Sequence, residues 1–295
     1  MAKIIQHPRD GYYEVADKPD EAELRAYYQQ QYYQNEEASY GHQYAEEELR
    51  FKNHKIALKA AVAEQLLGKP SAEATLLDIG CGEGFVLKAF ADRDWQVLGL
   101  DYSDYGCRMQ NPDLADRMRA GNIYDNLADL QREGAHYDLI WLDNVLEHVT
   151  DVDRLLATCR QLAQPHSVLC ITVPNDFSSL QEQLLAEGKI DREFWVKTPD
   201  HLAYFTAPSL AKTLEAAGWR TEKILGDFPI DWFLTNAHTN YIADRSKGKA
   251  AHQSRLWLYN HLAERNAPEA LIAFYESLAG VGMGRNITGF FRQLQ

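Results

Sequence analysis

The chain of 295 residues is long enough for one large domain with additions at its ends, and its 45% hydrophobic and 25% charged residues are typical of a globular protein. No run approaches the roughly 20 apolar residues of a membrane span, and no signal peptide opens the sequence, so we expect a cytoplasmic protein. The formal net charge of -13 disfavours nucleic acid as a partner, because the average field repels phosphates.

Two helices are predicted before the first strand. Eight of the 16 tyrosines lie within the first 44 positions. Asp20 and Glu23 have the spacing of a capping box, and they precede a helix with an aromatic face. A second helix is predicted over 44–67, where Gly68 ends it.

Short apolar strands then alternate with amphipathic helices. This alternation predicts a parallel sheet covered by helices on both faces. Helices are predicted to begin at caps formed by Thr150 and by Thr206, and Gly218 is predicted to end the second of these. The predicted strands are 75–80, 95–100, 117–121, 137–142, 167–173 and 219–227.

The segment LLDIGCGEGF at 76–85 contains the sequence's most specific signal. Glycines at the first strand-to-helix turn allow a ligand to lie against the backbone, since no Cβ stands in the way. A nicotinamide dinucleotide fingerprint, G-x-G-x-x-G, would require a glycine where Phe85 stands, so an oxidoreductase is disfavoured.

The stretch DIGCGEG resembles motif I of the class I S-adenosylmethionine-dependent methyltransferases. The resemblance continues at Asp101, 23 positions after Asp78, and covers roughly residues 70 to 226 through GNIYD at 121–125, YDLIWLDNVLEHV at 137–149 and HLAYFTAPSLAKTLEAAGW at 201–219. It implies a doubly wound, seven-stranded, mostly parallel α/β sheet of Rossmann-like type. It also implies a methyltransferase whose cofactor is S-adenosylmethionine. We divide the chain into a helical lid at 1–70, a cofactor-binding core at 71–228 and a C-terminal helical extension at 229–295, whose place relative to the sheet the pattern leaves open.

The resemblance assigns roles to the cofactor-side residues. Asp101 would accept the ribose hydroxyls, or would instead cap the turn at Ser103. Asp78 would lie beside the methionine part, or would tie the glycine loop, or both. Asn122 and Ile123 would contact the adenine, with an ordinary turn as the alternative. The full predicted cofactor set is Asp78, Gly80, Cys81, Gly82, Gly84, Phe85, Asp101, Tyr102, Asn122, Ile123, Asp143 and Asn144.

On the acceptor side, Asp143 and Asn144 would face the transferred methyl group or would cap a helix. His148 and His201 are candidate general bases, and each has a structural role as its alternative. With Asp143, these two histidines form the predicted catalytic set. The four cysteines show no C-x-x-C spacing, so we expect reduced thiols, and we expect no metal.

Two further features concern the acceptor. Related enzymes carry a lid before the first strand, and the predicted lid contacts are Tyr28, Tyr32 and Tyr33. The segment 244–255 gathers cations, and a phosphate or carboxylate of the acceptor would bind Arg245, Lys247 and Lys249, unless the segment is a solvated loop. GMGRNITGFF resembles methyltransferases of surface-polysaccharide synthesis, so a sugar nucleotide is a candidate acceptor. The alternatives are a protein or RNA methyltransferase and a non-catalytic cofactor-binding partner.

Overall fold

The computed structural model describes residues 2–20, 23–24, 43–68 and 73–294. None of the helices in these ranges combines the length and apolarity required to cross a membrane. The helices and strands are, in chain order, β1 Ile4–Gln6, β2 Tyr13–Val15, α1 Glu46–Leu67, β3 Thr75–Ile79, α2 Phe85–Ala91, β4 Gln96–Asp101, α3 Tyr105–Gln110, β5 Met118–Ala120, α4 Ile123–Arg132, β6 Tyr137–Asp143, α5 Val152–Leu162, β7 Ala163–Pro174, α6 Ser179–Ala186, β8 Ala203–Tyr204, α7 Ala207–Ala216, β9 Trp219–Gly226, α8 Gly248–Arg265, α9 Pro268–Gly280 and β10 Asn286–Gln293.

Seven strands form the central sheet, in the order β5-β4-β3-β6-β7-β10-β9. The pairs from β5 to β7 are parallel, and β10 runs antiparallel to both of its neighbours. The predicted fold class is therefore confirmed. β3 pairs with β4 on one side and with β6 on the other, so the strand order reverses at the carboxyl end of β3. Such a reversal is where open α/β sheets bind their ligands.

Buried side chains fill both faces of the sheet. Successive strand residues point to opposite faces, so Leu76 packs in one apolar cluster and Leu77 in the other. Helices α1, α2, α8 and α9 cover the first face, while α4, α5 and α7 cover the second. The predicted two-sided covering is confirmed, and it places α1 and α8 on the same side of the sheet.

Residues 286–293 correct the prediction of a wholly helical C-terminal extension, whose place relative to the sheet the pattern had left open. They form β10, where Ile287 pairs with Val173 of β7 and with Gly226 of β9. The helical periodicity of 248–280 continues up to this segment, and both partner strands are distant in sequence. Because the pairing is non-local, local pattern did not reveal it.

The N-terminal region also differs from the purely helical prediction. β1 and β2 form an antiparallel hairpin, and Tyr13 of β2 pairs with Tyr204 of β8 in a separate three-stranded sheet. The reciprocal bonds of the capping box between Asp20 and Glu23 are present. The second predicted helix is confirmed as α1, followed by Gly68 with φ of 59°. The proposed lid contacts Tyr28, Tyr32 and Tyr33 lie outside the described residues.

The observed helix caps stand at the predicted residue or one position away from it. Asp151, not Thr150, caps α5, because its side chain accepts from the Arg154 amide at 2.9 Å. Thr206 caps α7 as predicted. Gly218, with φ of 85°, follows the end of that helix, as the pattern indicated.

Candidate active site

The glycine loop joins β3 to α2 at the point where the strand order reverses. A Cβ on Gly80 would lie 2.4 Å from Cγ2 of Val145, and one on Gly84 would lie 2.8 Å from Sγ of Cys107. A Cβ on Gly82 would meet nothing within 4 Å. Gly80 and Gly84 are therefore required by packing, whereas Gly82 borders open space into which a ligand can fit.

Asp101 ends β4 and holds this loop. Its Oδ2 accepts a hydrogen bond from the Gly82 amide at 2.8 Å, and its Oδ1 accepts a longer one from the Ser103 amide at 3.4 Å. Burial raises the pKa of Asp101, while the backbone donors lower it in part. The tie to the loop that we considered for Asp78 is thus made by Asp101.

Asp78 is the most buried acid of the site, with 1% of its surface exposed. Its Oδ2 lacks a hydrogen-bond partner among the described residues. Burial raises the pKa of Asp78 well above its ordinary value, and the nearby Asp143 and Asp101 add to this effect. A buried carboxyl oxygen without a partner costs free energy, so this position favours a ligand that brings a donor or a positive charge.

A cavity of about 460 Å³ opens beside Asp78, between α1, the glycine loop, the end of β6 and α8. Of the predicted cofactor set, half line this cavity, namely Asp78, Gly80, Cys81, Phe85, Asp143 and Asn144. The other half do not line it: Gly82, Gly84, Asp101, Tyr102, Asn122 and Ile123. The side-chain Oδ1 of Asn122 caps α4 by accepting from the amides of Tyr124 and Asp125, so this oxygen has the role of the alternative, an ordinary turn.

Asp143 forms a salt bridge within the cavity. Lys59 Nζ lies 2.8 Å from Asp143 Oδ2 and also donates to Thr172 Oγ1 at 2.9 Å. Burial alone would raise the pKa of Asp143, but Lys59 and Lys55 outweigh it and the pKa is lowered. Asp143 is therefore held as a carboxylate by Lys59 and does not cap a helix. Asn144 beside it is exposed and has φ of 57°.

Tyr44 and Glu83 close the cavity at the start of α1. The Tyr44 hydroxyl donates to Glu83 Oε1 at 2.8 Å, and Lys52 Nζ donates to Glu83 Oε2 at 3.2 Å. The edge of the Tyr44 ring contacts Phe85, with 5.9 Å between ring centroids. The sequence reading missed Glu83 and Lys52, although Tyr44 belongs to the tyrosine-rich region that it had singled out.

Cations of α1 and α8 also line the cavity. Lys55 Nζ lies 3.4 Å from Asp227 Oδ2, and burial lowers the pKa of Lys55. Arg255 donates to His252 Nδ1 at 2.8 Å, and its buried Nε has no partner within the part of the chain that the structure describes. The signal for Lys55 was available in sequence, because lysines 52, 55 and 59 recur at helical spacing on one face of α1.

The three cations predicted to bind an anionic acceptor lie elsewhere. Arg245 and Lys249 are exposed around the start of α8, and Lys247 donates to the Ala237 carbonyl at 2.8 Å. None of the three lines the cavity. Of the basic segment 244–255, only His252 and Arg255 line the cavity, and both lie further along α8.

His148 and His201 lie together, with 4.9 Å between their ring centroids, but neither lines the cavity. His148 Nδ1 is 2.7 Å from the Asp200 carbonyl oxygen. Burial lowers the pKa of His148 and lowers that of His201 to about 3, so both rings are neutral at neutral pH. Their buried neighbour Glu147 was not among the predicted site residues.

The sheet order, the glycine loop and the acid that ends β4 define a class I S-adenosylmethionine-dependent methyltransferase. The chain belongs to this family: residues 46–224 match the model of a methyltransferase domain. S-adenosylmethionine is the cofactor of the family.

Named relatives are similar over part of the chain. A probable S-adenosylmethionine-dependent methyltransferase of Mycolicibacterium smegmatis is 29% identical over 189 residues, which cover 62% of this chain and 64% of the relative. A ubiquinone biosynthesis O-methyltransferase of Aromatoleum aromaticum is 25% identical over 154 residues, covering 51% and 66%. The chain thus spans slightly less than two thirds of the length of these relatives.

Solved structures agree with the fold. A SAM-dependent methyltransferase from Archaeoglobus fulgidus superposes with a TM-score of 0.50 at 16% identity, covering 81% of this chain and 94% of that one. The 1,6-didemethyltoxoflavin-N1-methyltransferase of Burkholderia thailandensis gives a TM-score of 0.51 at 14% identity, with both chains fully covered. At these identities the similarity concerns the architecture.

Proposed function

We propose that the protein transfers the methyl group of S-adenosylmethionine to an oxygen or nitrogen atom of a small anionic molecule. The observation that carries this proposal is the cavity, which is lined by the glycine loop and Asp78 and also by the partly buried cations Lys55 and Arg255. The ubiquinone O-methyltransferases among the relatives support a small acceptor. A sugar nucleotide or polysaccharide precursor is our candidate acceptor class.

The residues at the loop fit the cofactor. Gly82 borders open space, and the unpartnered Oδ2 of Asp78 suits the amino group or the positive charge of the methionine part. Asp101 would bind the ribose hydroxyls while it keeps the Gly82 amide, and Asn122 with Ile123 would border the adenine. When bound, the cofactor supplies an electrophilic methyl group on a sulfonium.

Lys55 and Arg255 are assigned to the acceptor's anionic group. Both are partly buried cations at the cavity wall, and the buried Arg255 Nε is an unused donor in the described structure. A phosphate or carboxylate would satisfy this donor through a charge-assisted hydrogen bond. It would also relieve the repulsion between these neighbouring cations, which lowers the pKa of Lys55 in addition to burial.

We assign to Asp143 the role of accepting the proton that the acceptor atom releases. It is the member of the predicted catalytic set that lines the described cavity. Its Oδ2 is held by Lys59, whereas its Oδ1 accepts only a long hydrogen bond from Asn144 Nδ2 at 3.5 Å, so Oδ1 would accept the proton that the acceptor atom loses. For a hydroxyl acceptor a weakly basic carboxylate suffices, because the oxonium that methylation produces is far more acidic than the free hydroxyl. Tyr44, Glu83 and Phe85 would exclude water from this step.

The test is to incubate the protein with methyl-labelled S-adenosylmethionine and a panel of acceptors. The panel pairs sugar nucleotides and phosphorylated or carboxylated metabolites with their neutral analogues, and it includes protein and RNA fractions. We expect label on an anionic small molecule and little on its neutral analogue. Label found only in protein or RNA, or only on neutral compounds, contradicts the proposal.

A further inference from the structure

A second group of side chains lies outside the cavity, in the loop that follows β6 and in the segment that precedes β8. Glu147 and His148 belong to the short helical turn Leu146–His148, and His201 stands two residues before β8. The Leu202 amide donates to the Glu147 carbonyl at 2.7 Å, which fixes the two segments to each other. One ligand atom from each of Glu147, His148 and His201 lies within 4.8 Å of the other two.

Two of these side chains lack hydrogen-bond partners although they are buried. Glu147 is 1% exposed, and neither of its carboxyl oxygens has a partner in the described ranges of the chain. His201 is 6% exposed, and the same holds for its Nδ1. Each unsatisfied buried group costs about 1–3 kcal/mol, so two such side chains in one cluster indicate a missing ligand.

The spacing fits an ion better than direct hydrogen bonds. His148 Nε2 lies 3.8 Å from Glu147 Oε1, beyond hydrogen-bonding range. Tetrahedral coordination with metal–ligand distances of about 2.1 Å separates the ligand atoms by about 3.4 Å, which is close to the observed gap. Meanwhile His148 Nδ1 faces the Asp200 carbonyl at 2.7 Å. A proton on Nδ1 places the lone pair on Nε2, which is the usual arrangement of a metal-bound histidine.

We propose that Glu147, His148 and His201 bind one divalent transition-metal cation of the zinc type. Two imidazoles and a carboxylate are ligands that Zn²⁺ and its first-row neighbours prefer. Three protein ligands leave a position open for water or another oxygen ligand. This inference departs from our sequence-based expectation of no metal, because the third ligand lies 53 positions beyond His148 and no motif announces it.

Charges of both signs surround the site. Asp200 Oδ1 lies 3.5 Å from His148 Nδ1 and Asp176 Oδ2 lies 3.9 Å from His201 Nδ1, while the cations nearby are Lys197 and Arg285, the latter paired with Asp176. The positive charge of a divalent ion would compensate the negative charge of the buried Glu147 carboxylate. The ion would also connect the loop after β6 to the segment that leads into the N-terminal three-stranded sheet, and so would stabilise the fold.

The test uses the full chain without a purification tag, stripped with a chelator and titrated with ZnCl₂ by calorimetry. We expect one equivalent to bind, and we expect Glu147→Gln and His201→Gln to weaken binding by about tenfold or more. His166→Ala, which removes an exposed histidine of β7, is the matched control and should bind like the wild type. With Co²⁺ as the probe, visible absorption bands of a coordinated ion should appear in the wild type and be lost in Glu147→Gln.

Binding of S-adenosylhomocysteine by each variant, measured in parallel, reports on folding and separately on the proposed function. If Glu147→Gln or His201→Gln fails to fold, His148→Ala replaces it in the zinc titration. Equal zinc affinity in the wild type and in folded Glu147→Gln, or no zinc binding by the wild type, overturns the proposal. Zinc binding without S-adenosylhomocysteine binding would support the metal site and count against the proposed function.

Discussion

Lys59 of α1 and Asp143 at the end of β6 form a largely buried salt bridge, in which Nζ lies 2.8 Å from Oδ2 and Lys59 keeps 7% of its side chain exposed. Lys59→Met removes the charge and preserves most of the apolar stem. We expect the free energy of unfolding at neutral pH to fall by about 1.5–3 kcal/mol, the usual contribution of a hydrogen bond to a charged group. Urea denaturation measures this change.

The same pair makes stability depend on pH. The pKa of Asp143 is lowered below its ordinary value of 3.8, so the folded state favours the carboxylate. The resulting stabilisation is complete above that ordinary pKa and is lost as the pH falls through the lowered folded-state pKa. Lys59→Met should therefore lose less stability than the wild type on acidification through this range. Parallel stability profiles for the two proteins would contradict the assignment.

Asp101→Ala should weaken binding of S-adenosylhomocysteine. The carboxylate is proposed to accept the ribose hydroxyls and already accepts the Gly82 amide. Loss of hydrogen bonds to a charged group predicts an affinity about 10- to 100-fold lower. Calorimetry measures it, with the surface variant Asp129→Ala as control. Unchanged affinity would refute the ribose assignment.

Gly80→Ala should destabilise the fold more than Gly134→Ala. Both glycines have positive φ, of 76° and 67°, so both variants carry backbone strain of about 1–2 kcal/mol. A Cβ at 80 would also lie 2.4 Å from Val145 Cγ2, whereas one at 134 meets nothing within 4 Å. We expect an additional loss of about 1–3 kcal/mol for Gly80→Ala in urea denaturation. Equal losses of stability in the two variants would mean that the Val145 side chain moves aside at no cost in free energy.

Arg255→Met should raise KM for the acceptor, since it removes the unused donor at the cavity wall and keeps much of the apolar stem. We expect a rise of about tenfold or more, from the loss of a charge-assisted hydrogen bond, with little change in S-adenosylhomocysteine affinity. Arg245→Met, at an exposed arginine outside the cavity, is the matched control. If Arg245→Met has the larger effect, the anion binds to the surface segment instead.

Anion binding should weaken as the pH rises, because the anion requires protonated Lys55. Burial lowers the pKa of Lys55 below 10.5, and the charged groups that face it are Asp227, Lys59, Asp143 and Arg255. Sulfate is a suitable probe, since its charge is constant between about pH 7 and pH 10. We expect its affinity to fall through the lowered pKa in the wild type, and to be weak and flat in Lys55→Met. A wild-type affinity that does not change with pH would exclude Lys55 as the titrating group.

The sequence by itself determined the features that rest on neighbouring residues or on regular pattern. Alternating apolar strands and amphipathic helices define the sheet and its covering. The glycine spacing at 80, 82 and 84 and the acid at 101 mark the family and its cofactor loop. Caps such as Thr206 could be identified because a cap acts on amides only two or three positions away.

Only the tertiary structure decided which residues from distant parts of the sequence contact one another. The pairing of Ile287 with Val173, the contact of Lys59 with Asp143, and the position of His201 beside Glu147 all join segments far apart in sequence. No local propensity encodes such contacts, because they arise when strand order and burial bring distant elements together. The proposed acceptor wall and the proposed metal ligands became visible only there, since a side chain's chemistry depends on the charges and solvent that the fold places around it.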